Sequence, residues 1–258
     1  MVGSADGGAG QAIHVWSARL EDADALASRW RNVLDVEERE QQQRFHRVED
    51  RELYALAHTL LRISLSRHAA LPPDSWSFVR GAYGKPELAP PLAKLTGLQF
   101  SLAHSAATAV CAVRSGAPVG VDVEPVDRPI DPVELADMVL GPPEKKALLE
   151  LDGDARRRRF LTLWTLKEAY VKAIGLGLTF SVTDCMFDPE RPEVRFASHV
   201  ADDPAAWWFD QVLLDGRDFV SVAARRHGSV FPSVHYSHCL RGSSDVTSRW
   251  MKGLAISS

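Results

Sequence analysis

The sequence predicts an α+β fold of two similar, pseudo-symmetric halves, and three observations lead there. Periodicity along the chain gives the order helix, strands, helix, strands. The segment TAVCAVRSG (108–116) echoes FVSVAARRHG (219–228), so each half carries a related strand. The 258 residues are 45% hydrophobic and 25% charged, the balance of a globular chain long enough to bury a sizeable core without staples. The halves are expected over residues 12–116 and 117–228, with a flexible Gly/Ala/Ser tail at 1–11 and an extension at 229–258.

Each element has its own signal. Ile13–Ala18 reads as a first strand. Asp35–Arg67 is long, charged and free of Gly and Pro, and Leu53, Leu56, Leu60 and Ile63 recur at helical spacing, which predicts one or two helices. Pro72, Pro73 and GAYGKPELAPP (81–91) mark a loop. Leu98–Ala103, Thr108–Val113 and Val119–Val123 read as strands, and RSGAP is expected to join the last two as a hairpin. Asp131–Leu151 is helical with a break at GPP (141–143), and Ala155–Ile174 is a strong helix. Its face of Leu163, Leu166, Tyr170 and Ile174 should meet the core. Strands return at Thr179–Phe187, Trp207–Leu213 and Phe219–Ala224, the last two joined by an Asp215-Gly216 turn. Of the adjacent Trp207 and Trp208, one should pack inward while the other covers the surface. Residues 229–258 are polar and weakly patterned, as an extended tail would be.

The totals exclude several classes. A formal net charge of −4 argues against a general nucleic-acid binder, which needs a basic excess. Cys111, Cys185 and Cys239 are odd in number, widely spaced and without a CxxC pair, so neither a disulfide framework nor a zinc site is expected. Cys111, within AVCAV, reads as a small buried hydrophobe. The start, MVGSADGGAGQ, lacks the basic-then-apolar pattern of a secretory signal. No apolar run approaches the roughly 18–20 residues that span a bilayer. A soluble cytoplasmic protein without a membrane partner is expected.

Four stretches hold residues with chemistry. In GVDVEP (120–125) strand alternation puts Val121 and Val123 on one face and Asp122 and Glu124 on the other. Two carboxylates on one face repel unless a cation or proton intervenes, and such an oxygen pair suits Mg²⁺; the plain alternative is a polar face turned to water. In WTLKEAYVKAIGLGL (164–178), Glu168 and Lys172 stand one turn apart, opposite the core face. By themselves they would make an ordinary surface ion pair. Together with Asp122 and Glu124 they offer a third carboxylate and a phosphate-binding ammonium. GLGL ends that helix as a glycine cap would. In FSLAHS (100–105) His104 closes a strand, and in YGKP (83–86) Lys85 sits in a turn; each read alone is a structural or solvated side chain. Arg156–Arg159 reads first as a solvated helix face and second as a docking surface for an acidic partner.

In this order, YGKP, FSLAHS, GVDVEP and WTLKEAYVKAIGLGL resemble the 4′-phosphopantetheinyl transferases of the large, surfactin-synthetase-activating type. The G-x-D-x-E and W-x-x-K-E-x-x-x-K signatures occur together, about forty residues apart, and the likeness runs over residues 13–228. The resemblance implies two α+β halves with the active site in the cleft between them. It implies coenzyme A as donor, Mg²⁺ (or Mn²⁺) as metal, an acyl or peptidyl carrier protein as acceptor, and a monomer. By position it makes Asp122, Glu124 and Glu168 metal ligands and Lys172 a pyrophosphate contact. His104 then matches the 3′-phosphate contact of coenzyme A, and Lys85 a lysine of the coenzyme pocket. Two departures stand out. Ala103 replaces a serine common in the family, leaving Ser101 or Ser105 to compensate. Early lysines of the first long helix are absent from EEREQQQRFHR (37–47), where Arg39, Arg44 and Arg47 are the substitutes and Arg44, beside Phe45, comes first.

The implied reaction moves phosphopantetheine to a carrier serine and releases 3′,5′-ADP, with Glu168 as base, directly or through a metal-bound water, and Lys172 stabilising the leaving group. A metal-dependent nuclease is the rival enzyme; the acidic net charge and the E-x-x-x-K spacing disfavour it. A binding module that keeps coenzyme A without transfer is the rival outside enzymes, and the complete carboxylate set counts against it.

Overall fold

The computed structural model describes residues 12–188, 193–228, 231–243 and 246–248. The expected tail at 1–11 lies outside them. The elements in order are β1 (Ala12–Arg19), α1 (Ala23–Arg29), α2 (Val36–Gln43), α3 (Val48–Ser66), β2 (Phe78–Arg80), β3 (Pro86–Leu88), α4 (Pro90–Thr96), β4 (Leu98–Ser105), β5 (Thr108–Ser115), β6 (Val119–Pro125), α5 (Pro132–Val139), α6 (Pro142–Leu149) and α7 (Gly153–Ile174). They continue as β7 (Cys185–Phe187), β8 (Val194–Phe196), β9 (Trp207–Leu214), β10 (Asp218–Arg225), β11 (Ser233–His238), β12 (Gly242–Ser243) and β13 (Val246–Ser248).

These build a mixed α+β structure around two sheets, β12-β11-β1-β5-β4 and β13-β9-β10-β6. The echoing strands β5 and β10 each lie between two neighbours in their sheet and are buried along seven consecutive residues. Ile13, Val15, Val110 and Ala112 of the first sheet interleave with Val119, Val121, Val220 and Val222 of the second. Polar contacts pin this apolar layer at both ends. At one end Arg19 and Thr108 donate to Asp218, at 2.7 and 2.9 Å. At the other, Arg114 donates to the Arg225 carbonyl at 2.6 Å.

A long helix covers each outer face. Helix α3 buries Leu53, Leu56, Ala57, Leu60 and Leu61, the spacing of one helical stripe, against Ala109, Cys111 and Val113 of β5. Helix α2 precedes it, so Asp35–Arg67 is two helices. Asp35 and Glu38 form a reciprocal capping box at the start of α2, and their carboxylates also hold the fully buried Arg62 guanidinium of α3.

Helix α7 lies on β6 and β10, and three features set its position. Gly120 removes the side chain where the helix passes: a Cβ there would stand 1.9 Å from the Ala169 carbonyl oxygen and 2.5 Å from the Ala173 nitrogen. Gln211 bridges Thr165 and Ser221 at 3.0 and 2.8 Å inside the packed layer. Lys167 pairs with Glu144 of α6 at 2.7 Å. Leu163, Leu166 and Tyr170 form the core face as expected, while Ile174 is only partly buried. Gly175, in the left-handed region at φ 72°, caps the helix through its N–H to the Val171 carbonyl.

The structure corrects three sequence expectations. RSGAP does not join a hairpin: β5 pairs with β1 and β4, and β6 pairs with β10 in the other sheet, so this connection crosses between sheets. Thr179–Phe187 is a strand only over Cys185–Phe187. Before it the chain runs through two short 3₁₀ turns, and the Lys167 ammonium takes the Val182 and Cys185 carbonyls. The stretch after 229 is no simple tail: Ser233–His238 pairs parallel with β1, and Val246–Ser248 pairs with β9. Asp215 and Gly216 do turn β9 into β10, both at positive φ. Trp207 is buried on the α7 side and Trp208 packs partly against the layer between the sheets, so both indoles have a packing role.

Candidate active site

The site forms where β6 passes under α7. The apolar residues of β6 fill the layer between the sheets, so Asp122 and Glu124 turn toward the helix. Asp122 is only 6% exposed. Its Oδ1 accepts from Lys172 Nζ at 2.6 Å, whereas its Oδ2 is buried with no hydrogen-bond partner among the described residues. Such an orphaned oxygen is costly and rare in folded proteins. Burial, only partly opposed by Lys172, pushes the Asp122 carboxyl above its usual range.

Glu124 is held from two sides. Ser105 Oγ donates to its Oε2 at 2.7 Å, and Arg128, from the turn after β6, pairs with its Oε1. Burial raises its carboxyl, with Ser105 opposing and the Asp122 charge adding to the rise. Glu168 is partly buried and accepts no hydrogen bond among the described residues. Burial and then the Asp122 charge raise it, with Lys172 opposing. Glu168 and Lys172 border a cavity of about 580 Å³ whose apolar walls include Tyr83, Trp164 and Phe180.

Lys85 enters the same cavity from the β2–β3 turn and donates to the Lys172 carbonyl at 2.7 Å; burial pushes its ammonium below the ordinary lysine value. His104 stands at the end of β4 and keeps solvent contact. What burial it has, then the Lys172 charge, hold its imidazole below the usual value. The first-half arginines are not brought to the cavity. Arg44 is exposed and donates to Gln41 at 3.3 Å, Arg39 to the Leu34 carbonyl, and Arg47 faces Glu49 at 3.7 Å. Ser101 is engaged with the Val121 N–H and Ser105 with Glu124.

Sequence reasoning missed Arg128, Ser105 in its carboxylate role, and Gly120. Gly120 was legible as part of GVDVEP, but only the helix passing over it shows why no side chain fits. Among the described residues no three His, Cys, Asp or Glu side chains already stand as a preformed metal cage. Lys172 and Arg128 occupy one oxygen each of Asp122 and Glu124 instead. The donor set still suits a hard cation: all oxygen, with Asp122 Oδ2 buried and without a hydrogen-bond partner among the described residues.

Comparison with known proteins decides the family. The 4′-phosphopantetheinyl transferase superfamily matches residues 118–223, the span from β6 through α7 to β10. The transferase HetI of Nostoc sp. is 30% identical over 166 residues, 64% of this chain and 70% of that one. The chain belongs to the 4′-phosphopantetheinyl transferase family. The transferase Sfp of Bacillus subtilis is 32% identical over 151 residues, covering 58% of this chain and 64% of that one. The transferase pptA of Paxillus involutus is 29% identical over 248 residues, covering 86% and 90%. The described residues of this transferase include no helix long and apolar enough to cross a membrane.

Proposed function

We propose that this transferase moves the phosphopantetheine arm of coenzyme A to a serine of an acyl or peptidyl carrier protein, releasing 3′,5′-ADP, with Mg²⁺ or Mn²⁺ held by Asp122, Glu124 and Glu168. The observation that carries the reading is the Asp122 carboxylate. It is buried, its second oxygen has no hydrogen-bond partner among the described residues, and it pairs with Lys172 and bears on Glu168, both of which line the cavity. Such a group calls for a partner, and a bound cation beside Lys172 would be one.

When bound, the divalent ion supplies charge neutralisation on the pyrophosphate. The protein's own residues do the rest. Lys172 and Lys85 line one wall of the cavity and draw the anionic donor into it. His104 is the contact for the 3′-phosphate, and Arg44 remains a first-half candidate on the resemblance alone. Glu168 takes the proton of the serine hydroxyl. Tyr83 and Lys85 come from the first half and Glu168 and Lys172 from the second, which supports the reading of an active site in a cleft between two halves.

Intact-mass measurement of an apo carrier domain incubated with this transferase, coenzyme A and Mg²⁺ tests the reading. A gain of one phosphopantetheine arm, abolished by EDTA and by Asp122→Ala, is expected. Calorimetric binding of coenzyme A without any mass gain on several carriers would leave a binding module in its place.

A further inference from the structure

We propose that Arg128 is a built-in counter-ion of the carboxylate site, a positioning residue that holds Glu124 and competes with a divalent cation for it. The inference rests on the cation site of the proposed function. Strand alternation places Asp122 and Glu124 on the same face of β6 with little solvent, so their charges oppose each other. Each carboxylate has recruited its own cation, Lys172 for Asp122 and Arg128 for Glu124.

The two cations are mounted differently. Lys172 is fixed on α7, and its own carbonyl is tied by Lys85. Arg128 comes from a turn closed by its N–H to the Pro125 carbonyl at 3.1 Å, and its side chain is 36% exposed. Its guanidinium also lies over the Trp164 ring, 5.4 Å from the centroid. Trp164 is on α7 one turn before Glu168 and borders the cavity. A guanidinium that releases Glu124 therefore keeps an aromatic face to rest on. Glu124 stays oriented meanwhile, because Ser105 grips the other oxygen. The arrangement is an exchangeable clamp: a cation already sits on the oxygen that a metal needs, on a tether able to give it up.

The consequence is an unusual sign. Removing a side chain that contacts a ligand-bearing carboxylate ordinarily weakens metal binding; here removing Arg128 strengthens it. Calorimetric titration of Mn²⁺ into EDTA-treated protein, without coenzyme A, reads this directly. Arg128→Gln is expected to bind Mn²⁺ about fivefold or more tightly than wild type. Arg128→Lys keeps the charge and should stay within about twofold of wild type. Adding Arg128→Gln to Glu124→Gln should give no tightening, because the contested carboxylate charge is gone. Unchanged or weaker binding in Arg128→Gln, with wild type binding normally, overturns the counter-ion role. Equal tightening in Arg128→Lys would also overturn it, by showing that charge is not the cause. Absence of Mn²⁺ binding in wild type would instead bring down the cation reading of the site, and this inference with it.

Discussion

Helix α7 carries two lysines five residues apart, and each meets a buried carboxylate, but the two pairs are finished differently. Lys167 is fully buried, and its three N–H groups go to Glu144 and to the Val182 and Cys185 carbonyls. Glu144 in turn accepts the Gly141 and Phe187 N–H groups at 2.8 Å each. Lys172 is 31% exposed, and among the described residues its ammonium pairs only with Asp122, whose other oxygen has no hydrogen-bond partner there. A closed hydrogen-bond network stabilises a fold, whereas an open one leaves interaction capacity unspent. In WTLKEAYVK both lysines look alike; their surroundings assign one to structure and one to chemistry.

The strongest way to break this comparison is Lys167→Met. It leaves the Glu144 charge buried without its cation, so urea unfolding should show a loss of about 3–5 kcal/mol. Turnover per folded molecule should stay near that of wild type. A variant that keeps its stability but loses turnover would place Lys167 among the chemical groups.

Gly120→Ala comes next and sharpens the comparison. Its new Cβ meets helix backbone rather than a side chain able to swing away, so a loss of about 3 kcal/mol is expected in the same urea experiment. The clash lies between β6 and α7, where Lys172 reaches Asp122, and the Lys167 pair faces α6. Activity should therefore fall by more than the lost stability explains. Loss in simple proportion to unfolding would mean that the spacing does not set the site.

Glu168→Gln tests the open side alone. The carboxylate has no hydrogen bond to lose among the described residues and lies near Asp122, so the urea midpoint should hold or rise. Carrier modification should slow about 100-fold, the usual weight of a positioned base, which is about 2.7 kcal/mol of barrier. A kcat near wild type would remove Glu168 from the base role.

Much of this site was legible because its signals are local. Period-two alternation put Asp122 and Glu124 on one face, and period-3.6 spacing put Glu168 and Lys172 opposite the core. What failed was non-local. RSGAP resembles a hairpin loop, but the partner of β5 is decided by β1, far away in sequence. FSVTDCMF has strand composition, yet a lysine fifteen residues before Val182 captures its carbonyls. Strand β11 is polar because only Val234 and Tyr236 of it pack against the layer between the sheets, while Ser233 and His235 face solvent. Arg128 gave no signal, since nothing in PVDRP says that the side chain turns back to the strand it has just left.

The smallest expected effect belongs to the arginine run at the start of α7. Arg157 and Arg158 share Asp154, and Arg156 donates to the Leu151 carbonyl at 2.7 Å. Asp154 in the first turn suits the positive end of the helix, and it already offsets much of the charge that a carrier would meet. The run lies eleven residues before Glu168, about 16 Å along the axis, within reach of a docked carrier. Joint replacement of Arg157 and Arg158 by Gln should change stability by less than about 0.5 kcal/mol per pair. KM for the carrier should rise less than about twofold at low salt and match wild type at high salt. A rise of about tenfold that salt abolishes would make the start of α7 a docking face, and the open half of the helix would then run its whole length.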